Sequence, residues 1–270
     1  MKHLRCALTL LTLSLAITGC GNARATIAEW FGASGKVQPT PVTIDIDCDP
    51  SSGSTCTERS LREVVAVEIQ RAASRPGSLV RLWMQGRDIE TTRIVAEARS
   101  GKPRGTGRRT RTEYEARWVA TESASMIAAA DAVVRKRVHR SPIAESIGVI
   151  ALAPTAPGST RELVVITDGM EVSDFGEFEC APLPKPERFA RMLARSRVLP
   201  PGSLSGIRVQ FCHFDLVAID RGRCSVSLAR ASAIRALWQG ALAAAGASSV
   251  EIRQGGLNPI TPSRKDHPDA

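Results

Sequence analysis

The stretch that most constrains this chain is Arg161-Glu162-Leu163-Val164-Val165-Ile166-Thr167-Asp168-Gly169. Four apolar residues stand in a row, and three of them are β-branched. A run this short and this branched reads as a strand buried on both faces, as in a parallel sheet covered on each side. Thr167, Asp168 and Gly169 then place a hydroxyl, a carboxylate and a turn at the strand's carboxyl end. Open α/β sheets hold their ligands at that end.

The segments around this run alternate between strand and helix. Residues 42–46 alternate polar and apolar and read as a first strand. A polar loop follows, from Asp47 through Ser54. Ser60-Leu61-Arg62-Glu63 fits a capping box that opens a helix with Leu61, Val64, Val65 and Ile69 on one face. Residues 79–84 and 90–98 read as two strands of a hairpin. Thr112 and Glu115 form a second possible capping box, ahead of a long helix without Gly or Pro. Ser141 and Pro142 suit the N-cap and first position of the next helix, whose buried face carries Ile143, Ile147 and Ile150. After the central run comes a stretch, 171–186, acidic at first and then Pro-rich, expected to cap the sheet's carboxyl edge. A helix over 187–197, a strand over 207–216, an Ala-rich helix over 225–245 with Leu228, Leu237, Trp238 and Leu242 buried, and a short strand at 250–252 complete the order. Alternation of this kind predicts a three-layer α/β/α sandwich with a mostly parallel central sheet and one antiparallel edge strand.

The ends of the chain read differently. Lys2, His3 and Arg5 precede an apolar stretch, 7–17, too short for a spanning helix. It ends Ile17-Thr18-Gly19-Cys20, which resembles a bacterial lipobox. The resemblance implies a signal peptide over 1–19, lipidation of Cys20 and a membrane anchor in the cell envelope, with the outer membrane favoured because no Asp follows Cys20. Residues 20–41 then form a tether, 42–253 the folded domain and 254–270 a loose tail. The net charge is +9, carried mainly by Arg. We read that excess as solvated surface, so nucleic acid is not an expected partner. The basic, Gly-rich loop 100–111 lacks phosphate-loop spacing, although it could meet phosphates or anionic lipid.

After Cys20 five cysteines remain, and an exported chain oxidises its cysteines. Cys48 with Cys56 and Cys212 with Cys224 are the short-loop options. Cys180 competes for Cys56, and one cysteine of the five is left over.

The order of elements resembles that of the von Willebrand factor type A domains. Those carry a strand ending in Asp-x-Ser-x-Ser, then a helix, a hairpin, a Thr at a later helix start, and a hydrophobic strand ending in Thr-Asp-Gly. The resemblance covers about residues 42–252. It implies a metal-ion-dependent adhesion site in which Asp168 is the Asp of Thr-Asp-Gly and Ser141 stands in for the Thr. Asp47, Asp49 and Ser51 supply the first loop, with a second register open that starts at Asp49. Here the chain departs from the pattern, with Asp in place of the first Ser and a Cys inside the motif. These oxygen donors suit Mg²⁺, or Mn²⁺ or Ca²⁺. The implied activity is non-enzymatic: engagement of a partner protein through the ion. Two rivals stand beside it. Asp47 and Asp49 also resemble the start of a haloacid-dehalogenase-type phosphatase, with Asp47 as nucleophile. A metal-free envelope scaffold shares the fold and the anchor. No nucleophile elbow is present to suggest a serine hydrolase.

Overall fold

The structure is a computed structural model, and it describes residues 39–51, 54–101, 108–134, 139–215 and 226–257. The signal sequence, Cys20, most of the tether, Cys224 and most of the tail lie outside the described residues.

In chain order the elements are β1 (Val42–Cys48), α1 (Glu58–Ala73), β2 (Leu79–Met84), β3 (Arg93–Arg99), α2 (Arg108–Val134), α3 (Ile143–Leu152), β4 (Thr160–Ile166), β5 (Val172–Ser173), β6 (Gly176–Glu177), α4 (Pro186–Arg195), β7 (Ile207–Cys212), α5 (Leu228–Ala244) and β8 (Ser249–Ile252). Six strands form one sheet in the order β3-β2-β1-β4-β7-β8. All neighbours run parallel except β2 and β3. The fold is thus a three-layer α/β sandwich, mostly parallel, with an antiparallel edge strand.

Burial explains the layers. In β4, Leu163 and Val165 face the core built with α3, α4 and α5, while Val164 and Ile166 face the core built with α1 and α2. Both faces of that strand are dry, and each fully buried aliphatic side chain contributes about 1.5–3 kcal/mol. β1 is divided in the same way but with different chemistry. Ile44, Ile46 and Cys48 enter the α1/α2 core, while Thr43, Asp45 and Asp47 form a buried polar column on the other face. The period of two that marks a strand here separates two interiors, rather than an interior from solvent.

Three local expectations are corrected. α1 starts a turn earlier than expected. Thr57 is its N-cap, and Thr57 and Ser60 exchange the reciprocal bonds of the capping box, so Ser60 is the third helical residue and not the cap. α2 begins at Arg108 rather than near Thr112; on its exposed face Arg109–Glu113 and Arg111–Glu115 are pairs four residues apart. Leu228, expected in the core, is 73% exposed at the first turn of α5, whereas Leu237, Trp238 and Leu242 are buried. Trp83 is buried too, and Trp118 packs partly buried against the α1/α2 core.

Cys48 and Cys56 are joined by a disulfide. Cys180 is disulfide-bonded as well. Cys212 is free, which removes the Cys212–Cys224 option. Its place on β7 explains this: the thiol is sealed in the α1/α2 core, where burial pushes its pKa up to about 12. No helix among the described residues is long and apolar enough to cross a membrane.

Candidate functional site

The sheet order fixes where a site can form. From β1 the chain builds β2 and β3 on one side, and later β4, β7 and β8 on the other. The carboxyl ends of β1 and β4 therefore flank the switch point, where connections diverge and leave a crevice. Across it the backbone N–H of Asp49 donates to the carbonyl of Ile166, 3.2 Å away.

The Asp49 carboxylate is the centre of this crevice. Its Oδ2 accepts from the Ser141 hydroxyl at 2.7 Å and from the Thr167 hydroxyl at 3.0 Å. Its Oδ1 accepts the backbone N–H of Ser51 at 2.9 Å. One carboxylate thus ties together the loop after β1, the segment before α3 and the end of β4. Ser141 was expected as an N-cap. Instead Pro142 occupies the cap position without a side-chain bond, and the Ser141 hydroxyl goes to Asp49. The Ser141 backbone also forms a bridge to Val172, which holds the β5–β6 hairpin over this edge.

Asp168 lies next to Thr167 and is fully buried; its Oδ1 accepts the backbone N–H of Met170 at 2.8 Å. Gly169 follows with φ of 82°, and a Cβ there would sit 2.0 Å from the Phe214 ring. Only glycine fits that turn. The Cys48–Cys56 disulfide closes the other side, so the Cys that breaks the adhesion-site pattern staples the loop bearing Asp49 and Ser51.

Asp47 sits one pleat deeper. Gln85 Nε2 donates to its Oδ2 at 2.8 Å and Ser146 Oγ to its Oδ1 at 3.0 Å. Burial pushes its pKa up to about 7, against the pull of those two donors, and the charges of Asp49 and Asp45 add to the rise. The structure therefore brings Asp49, Ser51 and Ser141 together beside Thr167 and Asp168, and places Asp47 behind them.

Four participants fall outside the set Asp47, Asp49, Ser51, Ser141 and Asp168. Thr167, Ser146 and Gln85 are named above. The fourth is Glu171, which caps α3 by accepting the backbone N–H of Ala144 at 3.1 Å. Burial raises its pKa to about 8; bonds from Ser173 and Ala144 oppose this, and the charges of Glu145 and Asp49 add to it. The sequence signal for Glu171 is weak, an acid three residues after Asp168. Gln85 and Ser146 have none.

The donor set is hard oxygen throughout. Asp47, Asp49, Asp168 and Glu171 are buried at one strand edge, where Asp47, Asp49 and Glu171 accept hydrogen bonds from hydroxyls, the Gln85 amide and backbone N–H groups. The Gln85 amide gives its N–H to Asp47, and its Oε1 has no hydrogen-bond partner among the described residues. Buried acids with surplus acceptor oxygens fit a hard divalent cation. Among the described residues there is no cluster of three or more His, Cys, Asp and Glu side chains spaced to hold a metal, so hydroxyl oxygens would have to complete the shell. No protein-family model matches the chain, and no curated protein matches it significantly.

Proposed function

We propose that this chain is an exported, membrane-anchored binding module resembling a von Willebrand factor type A domain, and that it engages a partner protein through a divalent cation. The observation that carries the reading is the Asp49 carboxylate, held by Ser141 and Thr167 at the switch point of a sheet ordered β3-β2-β1-β4-β7-β8. In this reading Asp49, Ser51, Ser141 and Asp168 hold Mg²⁺, and the register that starts at Asp49 applies. Asp47 supports the site from behind. The ion would supply positive charge to offset the buried acids and an open position for a partner's oxygen.

We favour this over the phosphatase reading because Asp47 is fully buried and both its oxygens accept hydrogen bonds. A nucleophile needs an exposed lone pair. A metal-free scaffold remains the competing outcome of the test. Titrating Mg²⁺ or Mn²⁺ into the protein by calorimetry should give a saturable signal that Asp49→Ala and Asp168→Ala each abolish. At a hundred times Kd the ion should stabilise the wild-type fold by about 2.7 kcal/mol. Identical melting with and without metal in all three proteins would leave the scaffold.

A further inference from the structure

We propose that the edge of the sheet opposite the site is a docking surface for anionic lipid headgroups, so that the domain stands on the membrane with the Asp49 crevice turned outward. Three observations converge on that edge. The first is where the chain enters. Pro41 precedes β1, and its carbonyl accepts the N–H of Thr160 at the start of β4. The described chain therefore enters β1 from the amino-terminal edge, through residues 39–41. β1 is seven residues long, so this edge lies about 20 Å from the site.

The second is charge. Arg75 in the α1–β2 turn, Arg99 at the end of β3, Arg109 in the first turn of α2, and Arg195 and Arg197 around the end of α4 all gather at this edge. Arg99 and Arg109 pair with Glu97 and Glu113 of their own elements, but in exposed pairs that water screens. The opposite edge carries Asp88, Glu145 and Asp174 around the crevice together with Arg87 and Arg140, which pairs with Asp174 at 2.9 Å, so its charges are mixed where the entry edge is mainly basic.

The third is an apolar tip. α3 ends at Leu152, which is 85% exposed. The exposed Pro154 and Pro157 follow in a loop without charge, 152–159. An exposed leucine at an edge that also carries exposed arginines is the composition of a membrane-interfacial surface: the apolar tip enters the headgroup boundary and the guanidiniums meet lipid phosphates. Nucleic acid would match the arginines but gain nothing from Leu152.

This orientation rests on the membrane-anchored reading above, and the test separates the two. Full-length protein is attached to vesicles of phosphatidylglycerol with phosphatidylethanolamine, or of phosphatidylcholine alone, and followed by amide hydrogen exchange. Amides over 152–159 and 74–78 should exchange about tenfold or more slowly on the anionic vesicles, an effect lost in high salt. An Arg99→Gln/Arg109→Gln/Arg195→Gln chain and a Leu152→Ser chain should each lose most of the difference while melting as wild type does, since all four side chains are exposed. A Cys20→Ser chain mixed with anionic vesicles should keep the protected edge; if it does while the wild type proves not to be anchored, the docking surface stands and the anchor falls. Equal exchange on both vesicle types overturns the proposal. So does protection around Asp88 and Asp174 instead, or equal shielding by a short DNA duplex that is indifferent to Leu152→Ser.

Discussion

Asp45 lies within β1 and Asp49 just past its carboxyl end, four residues apart, and both are fully buried. Their surroundings differ in kind. Asp45 is neutralised from within. Arg81 donates to it twice, Arg161 reaches it at 3.1 Å and the Trp83 indole N–H at 2.8 Å. The same two guanidiniums bond to the carbonyls of Ile150, Ala151 and Pro154, at the end of α3 and just beyond it. Among the described residues Asp49 accepts from two hydroxyls and a backbone N–H, with Asp47 and Glu171 as acidic neighbours. One acid is balanced for folding. The other sits among hydroxyls in a dry crevice, where the cation proposed above would supply the counter-charge.

The sharpest way to break this comparison is Asp45→Ala. It strands two buried guanidiniums and should cost about 3–5 kcal/mol in denaturant unfolding. If Asp49→Ala costs as much with no metal present, the two acids are alike and the contrast fails.

The disulfide gives a smaller effect. Cys48→Ala/Cys56→Ala should destabilise by about 2–3 kcal/mol from loop entropy. It should also weaken Mg²⁺ binding, because the loop it closes carries Asp49 and Ser51, while the Asp45 network, held by strand pairing, is untouched. Unchanged Mg²⁺ affinity would mean the staple serves the fold alone.

A further effect is spread over pH. Asp47 and Glu171 titrate at about 7 and about 8 when folded, above their ordinary carboxylate values. The folded state therefore holds extra protons across that window. Its stability is fully present below the unfolded values near 4 and declines as pH rises through the folded ones, by about 1 kcal/mol per pH unit for each group. Melting at a series of pH values should show this decline, and Asp47→Asn should remove part of it. Saturating Mg²⁺ should flatten the remainder. Glu68, buried beneath the opposite face and also raised to about 7, provides the control. Its share of the decline, isolated with Glu68→Gln, should not respond to Mg²⁺.

What could be read from the sequence was what depends on neighbours in the chain. The β4 run announces a doubly buried strand because four apolar residues leave no solvent face. Its Thr-Asp-Gly end announces a site because chain direction alone puts it at the carboxyl edge. What escaped depends on distant partners. A hydroxyl at Ser141 suits a helix cap by local propensity, and only the approach of Asp49, 92 residues earlier, diverts it. Thr57 and Ser60 both qualify as caps, and the Ser60 hydroxyl is taken by the Thr55 carbonyl while the Thr57 hydroxyl takes the N–H of Ser60. Gln85 and Ser146 look like ordinary polar residues until the fold sets them against Asp47. Leu228 shares the helical stripe of the buried Leu242 but lies in the first turn, where the sheet no longer covers it.

The buried tryptophans carry a consequence of their own. The Trp83 indole is bonded to Asp45, and the Trp238 indole donates at 2.9 Å to the carbonyl of Gly169, one residue beyond Asp168. Each of the two contrasting acids thus has a chromophore wired to its neighbourhood. Light emitted from the Gly169 side should change colour or brightness when the crevice fills, while that from the Asp45 side stays constant, so the molecule carries both its own sensor and its own reference lamp.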